Sequence, residues 1–422
     1  MPRIRWVSLA VECVALWLTS PLLTSCSGGA GGGSVSPLPP LWVATDVVVA
    51  DIDGDGRADV LTLAMYSTGY QHREGRLAIY RQTSAGTFAA PDVYTVGVYP
   101  WRFRVADIDG DGLPDIVIAD TDGQQLLWMR QDPANRGHFE APVIIASGVG
   151  ASDFAVGDLN NDGAPDLMIA ECMQNASRVL VFEQDPSNRG TFRAPRTVAA
   201  PAPVCGLAVA DIDGDGLDDI VGWFATESLS ASSPGTGELA VLWQAADGSF
   251  APATIIATRH GVNPQRTLVA NYAGDGTASP IIYLTPAESG YQPEVIAALH
   301  APGSRVFTQV LSTPLPGLQG VDDAAFADVD GDGRMDGVVA GFFPIGNPSR
   351  VYSNANQLRQ MGDGTLTLVG TYSLPISASR VAIGDLDGDG RADIVLHGDN
   401  QVVRMLQSHS TRGQFGAPAL LR

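Results

Sequence analysis

The nine residues Asp51-Ile52-Asp53-Gly54-Asp55-Gly56-Arg57-Ala58-Asp59 put aspartate at places one, three, five and nine and glycine at place six. The pattern returns as DIDGDGLPD at 107–115, DLNNDGAPD at 158–166, DIDGDGLDD at 211–219, DVDGDGRMD at 328–336 and DLDGDGRAD at 385–393. A decayed copy, NYAGDGTAS, stands at 271–279. Successive copies start 51 to 60 residues apart, which marks out seven units of about fifty-five residues.

Each copy sits in the same grammar. A period-two run leads in, as at Val47-Val48-Val49-Ala50 or Phe154-Ala155-Val156-Gly157, and such alternation reads as a strand. An apolar run leads out, as at Ile116-Val117-Ile118-Ala119, and a third strand follows, as at Leu126-Leu127-Trp128-Met129. Then comes a turn of the form G-x-F-x-x-P: GTFAAP at 86–91, GHFEAP at 137–142, GTFRAP at 190–195 and GQFGAP at 413–418. A fourth strand closes the unit, as at Val143-Ile144-Ile145. Four short antiparallel strands repeated seven times predict an all-β, seven-bladed β-propeller. Its blades fall at approximately 41–96, 97–149, 150–202, 203–258, 259–318, 319–374 and 375–422. An EF-hand is excluded: it needs a bidentate Glu at place twelve, where this chain has Thr62, Ile118, Ile169, Gly222, Val339 and Leu396.

Composition agrees. Of 422 residues 45% are apolar and 17% charged, which is globular, and 48 Gly with 28 Pro suit many tight turns. The net charge of −21 argues against a nucleic-acid partner. All 25 basic residues are arginine, so a P-loop lysine and a Schiff-base lysine are ruled out.

The N-terminus reads as an address. Arg3 and Arg5 precede an apolar stretch that runs to Leu23, broken by Glu12. Leu23-Thr24-Ser25-Cys26 resembles the lipobox of bacterial lipoproteins, which implies a signal peptide over 1–25 and a lipid on Cys26. A Gly/Ser/Pro tether over 26–40 follows. The resemblance implies an exported chain touching the membrane only through its anchor. Because Ser27 is not the aspartate that retains such proteins at the inner membrane, it also implies the outer membrane or cell surface. After cleavage only Cys172 and Cys205 remain, and an oxidising compartment permits them to pair.

The D-x-[DN]-x-D-G-x-x-D loops and F-x-A-P turns resemble FG-GAP repeats, also called VCBS-type repeats. They are similar to the calcium-bearing blades of integrin α-subunit head domains and of many bacterial surface proteins. The resemblance covers nearly all of the chain from 41 onward and implies Ca2+ in the loop joining the first two strands of a blade. Calcium takes six to eight hard oxygens. Place one would supply Asp51, Asp107, Asp158, Asp211, Asp328 and Asp385; place three, Asp53, Asp109, Asn160, Asp213, Asp330 and Asp387. Place five would supply Asp55, Asp111, Asp162, Asp215, Asp332 and Asp389; place nine, Asp59, Asp115, Asp166, Asp219, Asp336 and Asp393. By analogy with related loops, place seven would add the carbonyls of Arg57, Leu113, Ala164, Leu217, Arg334 and Arg391.

The alternative, a set of solvated acidic turns, does not explain six copies in register. Across all seven loops these four places hold 24 of the 46 acidic residues, and such crowding is costly unless a cation or protons relieve it. Six structural calcium ions would bring −21 to about −9. The fifth loop keeps only Asp275, so no ion is expected there, with Gly274 and Gly276 preserving the turn.

In a propeller the metal loops and F-x-x-P turns share one face. The opposite face carries connections of variable length, at 66–76, 223–239, 284–294 and 342–350, where binding residues are commonly placed. Tyr66, Tyr70, His72, Trp101, Trp223, Phe342 and Phe343 belong there as candidate ligand residues, or as plain blade caps. Five places before each motif stand Asp46, Arg102, Asp153, Gly206, Arg266, Asp323 and Arg380, which should ring the channel mouth. Opposite neighbours there would pair, Arg380 with Asp46 included, as a salt-bridge collar. The alternative is a polar ligand site entered at Gly206, using Arg102, Arg266 and Arg380. Cys172 and Cys205 fall on the variable face of adjacent blades, and a disulfide requires Cα atoms within about 7 Å.

The leading functional expectation is a calcium-stabilised cell-envelope adhesion or binding propeller that recognises a protein or glycan. One alternative is a polysaccharide lyase using His72, His260 or His397 with Arg73, Arg102 and Arg380. The other is a non-catalytic scaffold of an envelope complex. Neither H-E-x-x-H nor G-x-S-x-G occurs, so no catalytic residue is assigned.

Overall fold

The computed structural model describes residues 42–67, 73–172, 176–226, 236–260, 262–286, 292–315, 318, 320–344, 351–398 and 401–421. The expected signal peptide over 1–25, Cys26 and the expected tether lie outside them. Seven four-stranded antiparallel sheets follow one another, each pairing its strands in chain order. Blade one uses Trp42–Ala50, Asp59–Ser67, Arg73–Tyr80 and Asp92–Thr95; blade two uses Pro100–Ala106, Asp115–Asp120, Gln125–Met129 and Val143–Ser147. Blade three uses Asp153–Gly157, Asp166–Ala170, Arg178–Phe182 and Arg196–Ala199; blade four, Val204–Ala210, Asp219–Ala225, Thr236–Leu242 and Thr254–His260. Blade five uses Val262–Ala270, Ser279–Pro286, Glu294–His300 and Phe307–Pro314; blade six, Gly320–Ala327, Asp336–Pro344, Val351–Gln360 and Leu366–Ser373. Blade seven uses Arg380–Gly384, Asp393–Gly398, Gln401–Met405 and the short Ala419–Leu420.

Burial falls from the axis outward. Second strands such as Asp115–Asp120 and Asp219–Ala225 are buried at every residue, because both faces of a blade pack on neighbouring blades. Fourth strands such as Asp92–Thr95 and Leu366–Ser373 alternate or are mostly exposed. Among the described residues the apolar core divides into seven clusters, each shared by two adjacent blades. The last joins Ala382, Leu386 and Val395 of blade seven to Val47, Val60 and Phe88 of blade one. The ring therefore closes by side-to-side packing, with every blade built from its own segment.

A polar stitch accompanies five of the seven seams. Glutamine ends or follows the third strand in six blades, and in five of them its side chain reaches the carbonyl of loop place two in the preceding blade, while Gln184 donates to Pro165 O of its own blade. Gln131 Nε2 donates to Ile52 O at 2.8 Å, Gln360 to Tyr272 O at 2.8 Å and Gln407 to Val329 O at 3.0 Å. Gln82 makes the same bond to Leu386 O across the closure, and Gln244 to Leu159 O. Five of the six glutamines also pair with the phenylalanine of the G-x-F turn, as Gln131 with Phe139 and Gln407 with Phe415, and Gln360 pairs with Leu366. Gln131 is fully buried, and its Oε1 accepts from Gly137 N at 3.1 Å. Gln131→Leu should thus orphan backbone groups in two blades and cost about 1–3 kcal/mol in urea unfolding. Stability indistinguishable from the parent protein would show that the stitch contributes nothing.

A disulfide joins Cys172, just past the second strand of blade three, to Cys205 at the start of blade four, with Cα atoms 4.5 Å apart. That separation lies inside the range a disulfide allows. It adds a covalent tie between two blades on the face opposite the acidic loops.

Candidate metal centres

Each acidic loop is shaped by its own carboxylates. Asp51 Oδ1 accepts from Gly54 N at 2.8 Å and Asp55 N at 3.1 Å, while Oδ2 accepts from Gly56 N at 2.9 Å. Asp211, Asp328 and Asp385 repeat this pattern in full, and Asp107 makes its two glycine bonds. The bend needs left-handed backbone at places four and six, where Gly54 and Gly56 have φ of 74° and 83°. Blade three has Asn161 at place four, with φ 56°, which asparagine tolerates better than other side-chain-bearing residues.

Place nine is a bracket. Asp59 is fully buried and accepts from Ile52 N at 3.1 Å and Gln82 N at 2.8 Å, so it ties the loop to the end of the third strand. Asp115, Asp166, Asp219, Asp336 and Asp393 do likewise. Burial pushes these carboxyls up, to about 6 for Asp59, Asp115, Asp219, Asp336 and Asp393 and to about 7 for Asp166.

The donor set fits a hard dication. One oxygen each of Asp51, Asp53 and Asp59 can lie within 4.8 Å of one another. The same holds for Asp107, Asp109 and Asp115, for Asp211, Asp213 and Asp219, and for Asp328, Asp330 and Asp332. In blade seven Asp387 and Asp389 group with His409. These all-oxygen clusters suit calcium chemistry, with His409 the one nitrogen among them. The fifth loop keeps the turn: Asn271 Oδ1 accepts from Gly276 N at 3.1 Å, and Gly274 and Gly276 have φ of 74° and 91°. Its lone carboxylate, Asp275, accepts from Thr277 Oγ1 at 2.6 Å.

The residues five places before the motifs do meet in the channel. In five blades a β-bulge falls just before the ring position, at Ala44/Asp46, Pro100/Arg102, Val204/Gly206, Pro264/Arg266 and Val321/Asp323. Asp46 lies 3.7 Å from Arg102 and 3.7 Å from Arg266, whose Nη1 is 3.8 Å from Asp323. Arg266 belongs to blade five and Asp46 to blade one, so the collar is cross-braced over the channel instead of pairing neighbours alone. Arg104, which the five-place spacing misses, lies 3.9 Å from Asp46 and 3.1 Å from Asp153. Each ring aspartate also accepts a backbone N–H from the next blade: Phe103 N for Asp46 (3.2 Å), Leu207 N for Asp153 (3.1 Å) and Val381 N for Asp323 (3.1 Å). Burial alone would raise Asp46, but Arg266, Arg102, Arg104 and Arg380 together hold it below the usual carboxylate range.

Several expectations change here. Arg380 turns to the carbonyls of Thr45 and Asp322 and lies over the Trp101 ring, with its charge still acting on Asp46. Gly206 opens no entry, because a Cβ there would sit 2.5 Å from Thr267 Oγ1 of blade five. Arg102 and Arg380 are buried collar residues and not part of a presented face. Trp223 is fully buried in the core between blades four and five, since its strand is covered on both sides. Tyr66 is half-buried against Trp42, and Trp101 against Tyr99.

Tyr70 and His72 lie outside the described residues, as do the side chains of Arg73, Phe342 and Phe343. His397 is buried, which lowers it to about 4, and it faces Asp46 O. His260 is exposed on blade four, beside Thr236 Oγ1 at 2.7 Å. The lyase candidates His260 and His397 thus stand in separate blades.

Seven four-stranded antiparallel blades, six of them with acidic first hairpins, define a repeat β-propeller. The FG-GAP-like repeat profile matches at 65–118, 107–169, 158–222 and 346–396, each match running from one blade into the next. The chain is an FG-GAP repeat β-propeller. A search of curated proteins finds no match to it.

Proposed function

We propose that this propeller is a calcium-stabilised recognition module, exported and held to the cell envelope by a lipid on Cys26, that binds a protein or glycan through the face opposite its acidic loops. The fold itself supports a binding or scaffold role. One observation carries the choice of face. The first hairpin connection has the same length in every blade, while the connections between second and third strands do not. They run from Gly398 to Gln401 in blade seven, from Asp120 to Gln125 in blade two and from Ala225 to Thr236 in blade four. Constant loops serve the scaffold, and variable ones on a rigid scaffold are where recognition is placed.

A glycan array and a pull-down from envelope extract, both with full-length protein in millimolar calcium, test the reading. Binding should vanish when 227–235 is replaced by the short blade-two connection 121–124, with the melting temperature unchanged. Binding that survives that exchange and the corresponding ones in blades one, five and six would refute this choice of face. The lyase alternative draws no support from His397, which is buried. A scaffold without its own ligand predicts capture of protein partners and a blank glycan array.

A further inference from the structure

The outer oxygens of the acidic loops are not bare. In blade two Arg130 spans places three and five, with Nε on Asp109 and Nη2 3.1 Å from Asp111. In blade four the same two places are spanned by Arg305, with Nε on Asp213 and Nη2 3.0 Å from Asp215. In blade seven His409 spans them, 3.6 Å from Asp387 and 2.7 Å from Asp389. The three side chains come from unrelated positions. Arg130 follows the third strand of its own blade, Arg305 precedes the fourth strand of blade five, and His409 lies in the turn of blade seven. Inheritance of one ancestral repeat does not produce the same bridge from three places.

The charge balance points the same way. In blade one Arg57 sits on Asp55, and in blade seven Arg391 lies 3.5 Å from Asp389. Counting each arginine with the four carboxylates it faces leaves loops one, two, four and seven at a formal −3. Loop three reaches −3 by another route: Asn160 replaces one aspartate, and no arginine among the described residues forms an ion pair with its carboxylates. Loop six carries two, Arg359 on Asp330 at 2.8 Å and Arg334 on Asp332 at 2.6 Å, and falls to −2.

We propose that these outside cations, Arg130 and Arg305 above all, are tethered counter-ions that relieve the loops' repulsion and lower their affinity for a dication, making loop six the weakest site. This rests on the calcium reading for the second effect, though not for the first. A guanidinium within hydrogen-bond distance of the ligand carboxylates opposes an incoming Ca2+ by Coulomb repulsion. It also supplies part of the charge compensation when no ion is bound.

The test uses full-length Arg130→Gln/Arg305→Gln protein. Both side chains are more than a third exposed, so the fold tolerates the exchange. Calorimetric calcium titration should show two sites tightened roughly tenfold. Affinities that stay equal or weaken would overturn the proposal, since the arginines would then be positioning ligands. In chelator at low salt the variant should melt below the parent, with the gap closing as salt is added. A gap unchanged by salt would overturn the charge-relief half. If the parent protein takes up no calcium, the calcium reading fails on its own, and the salt-dependent gap still decides charge relief.

Discussion

Chelation of divalent metal near neutral pH should lower the melting temperature by on the order of 10 °C, and the loss should shrink toward about pH 5. At a free calcium ten times its dissociation constant each site contributes about 1.4 kcal/mol, so six sites sum to about 8 kcal/mol. The pH dependence comes from place nine. Burial raises Asp59, Asp115, Asp219, Asp336 and Asp393 to about 6 and Asp166 to about 7 in the metal-free fold. A carboxyl raised in the folded chain holds its proton more tightly there than in the unfolded chain, where it titrates near 4. That contribution is complete below about pH 4 and is lost as the pH climbs through 6 to 7. Protons therefore substitute for the ion in acid, and the ion is needed most where they have left. Scanning calorimetry with EDTA and with calcium at both pH values checks this. A calcium increment that is absent, or equal at the two pH values, would sink it.

Replacing Asp46 with leucine should cost about 3–5 kcal/mol, more than any single acidic-loop change. Asp46 is fully buried, accepts from Val47 N and Phe103 N, and faces Arg102, Arg104 and Arg266. Its loss would leave guanidiniums in the channel short of a counter-charge and unpin blade one from blade two. Asp46→Asn, which keeps an acceptor without the charge, should recover part of the loss. Urea denaturation of the three proteins measures it, and a leucine variant as stable as the parent would show that the collar is ornamental.

The repeat period and the six aspartate frames make the blade count, the loop positions and the channel collar legible in sequence, because tandem units share one register. Other features are not legible, for physical reasons. The long connection beside Trp223 places it on a face, yet its strand is covered by blades on both sides, and alternation carries no signal where both faces are buried. The glutamine stitch left a trace, a glutamine after the third strand and a phenylalanine six to eight residues on, as Gln82 with Phe88 and Gln131 with Phe139. The trace acquires meaning only when the neighbouring blade's carbonyl is in view. Arg305 on Asp213 is likewise a contact 92 residues apart in the chain, set by blade adjacency alone.

Since blade seven owns all four of its strands and meets blade one by the same packing found at the other seams, the ring has no privileged break. A circularly permuted gene opened at any blade boundary would encode the same disc. Where the polypeptide starts is therefore free to answer to attachment geometry.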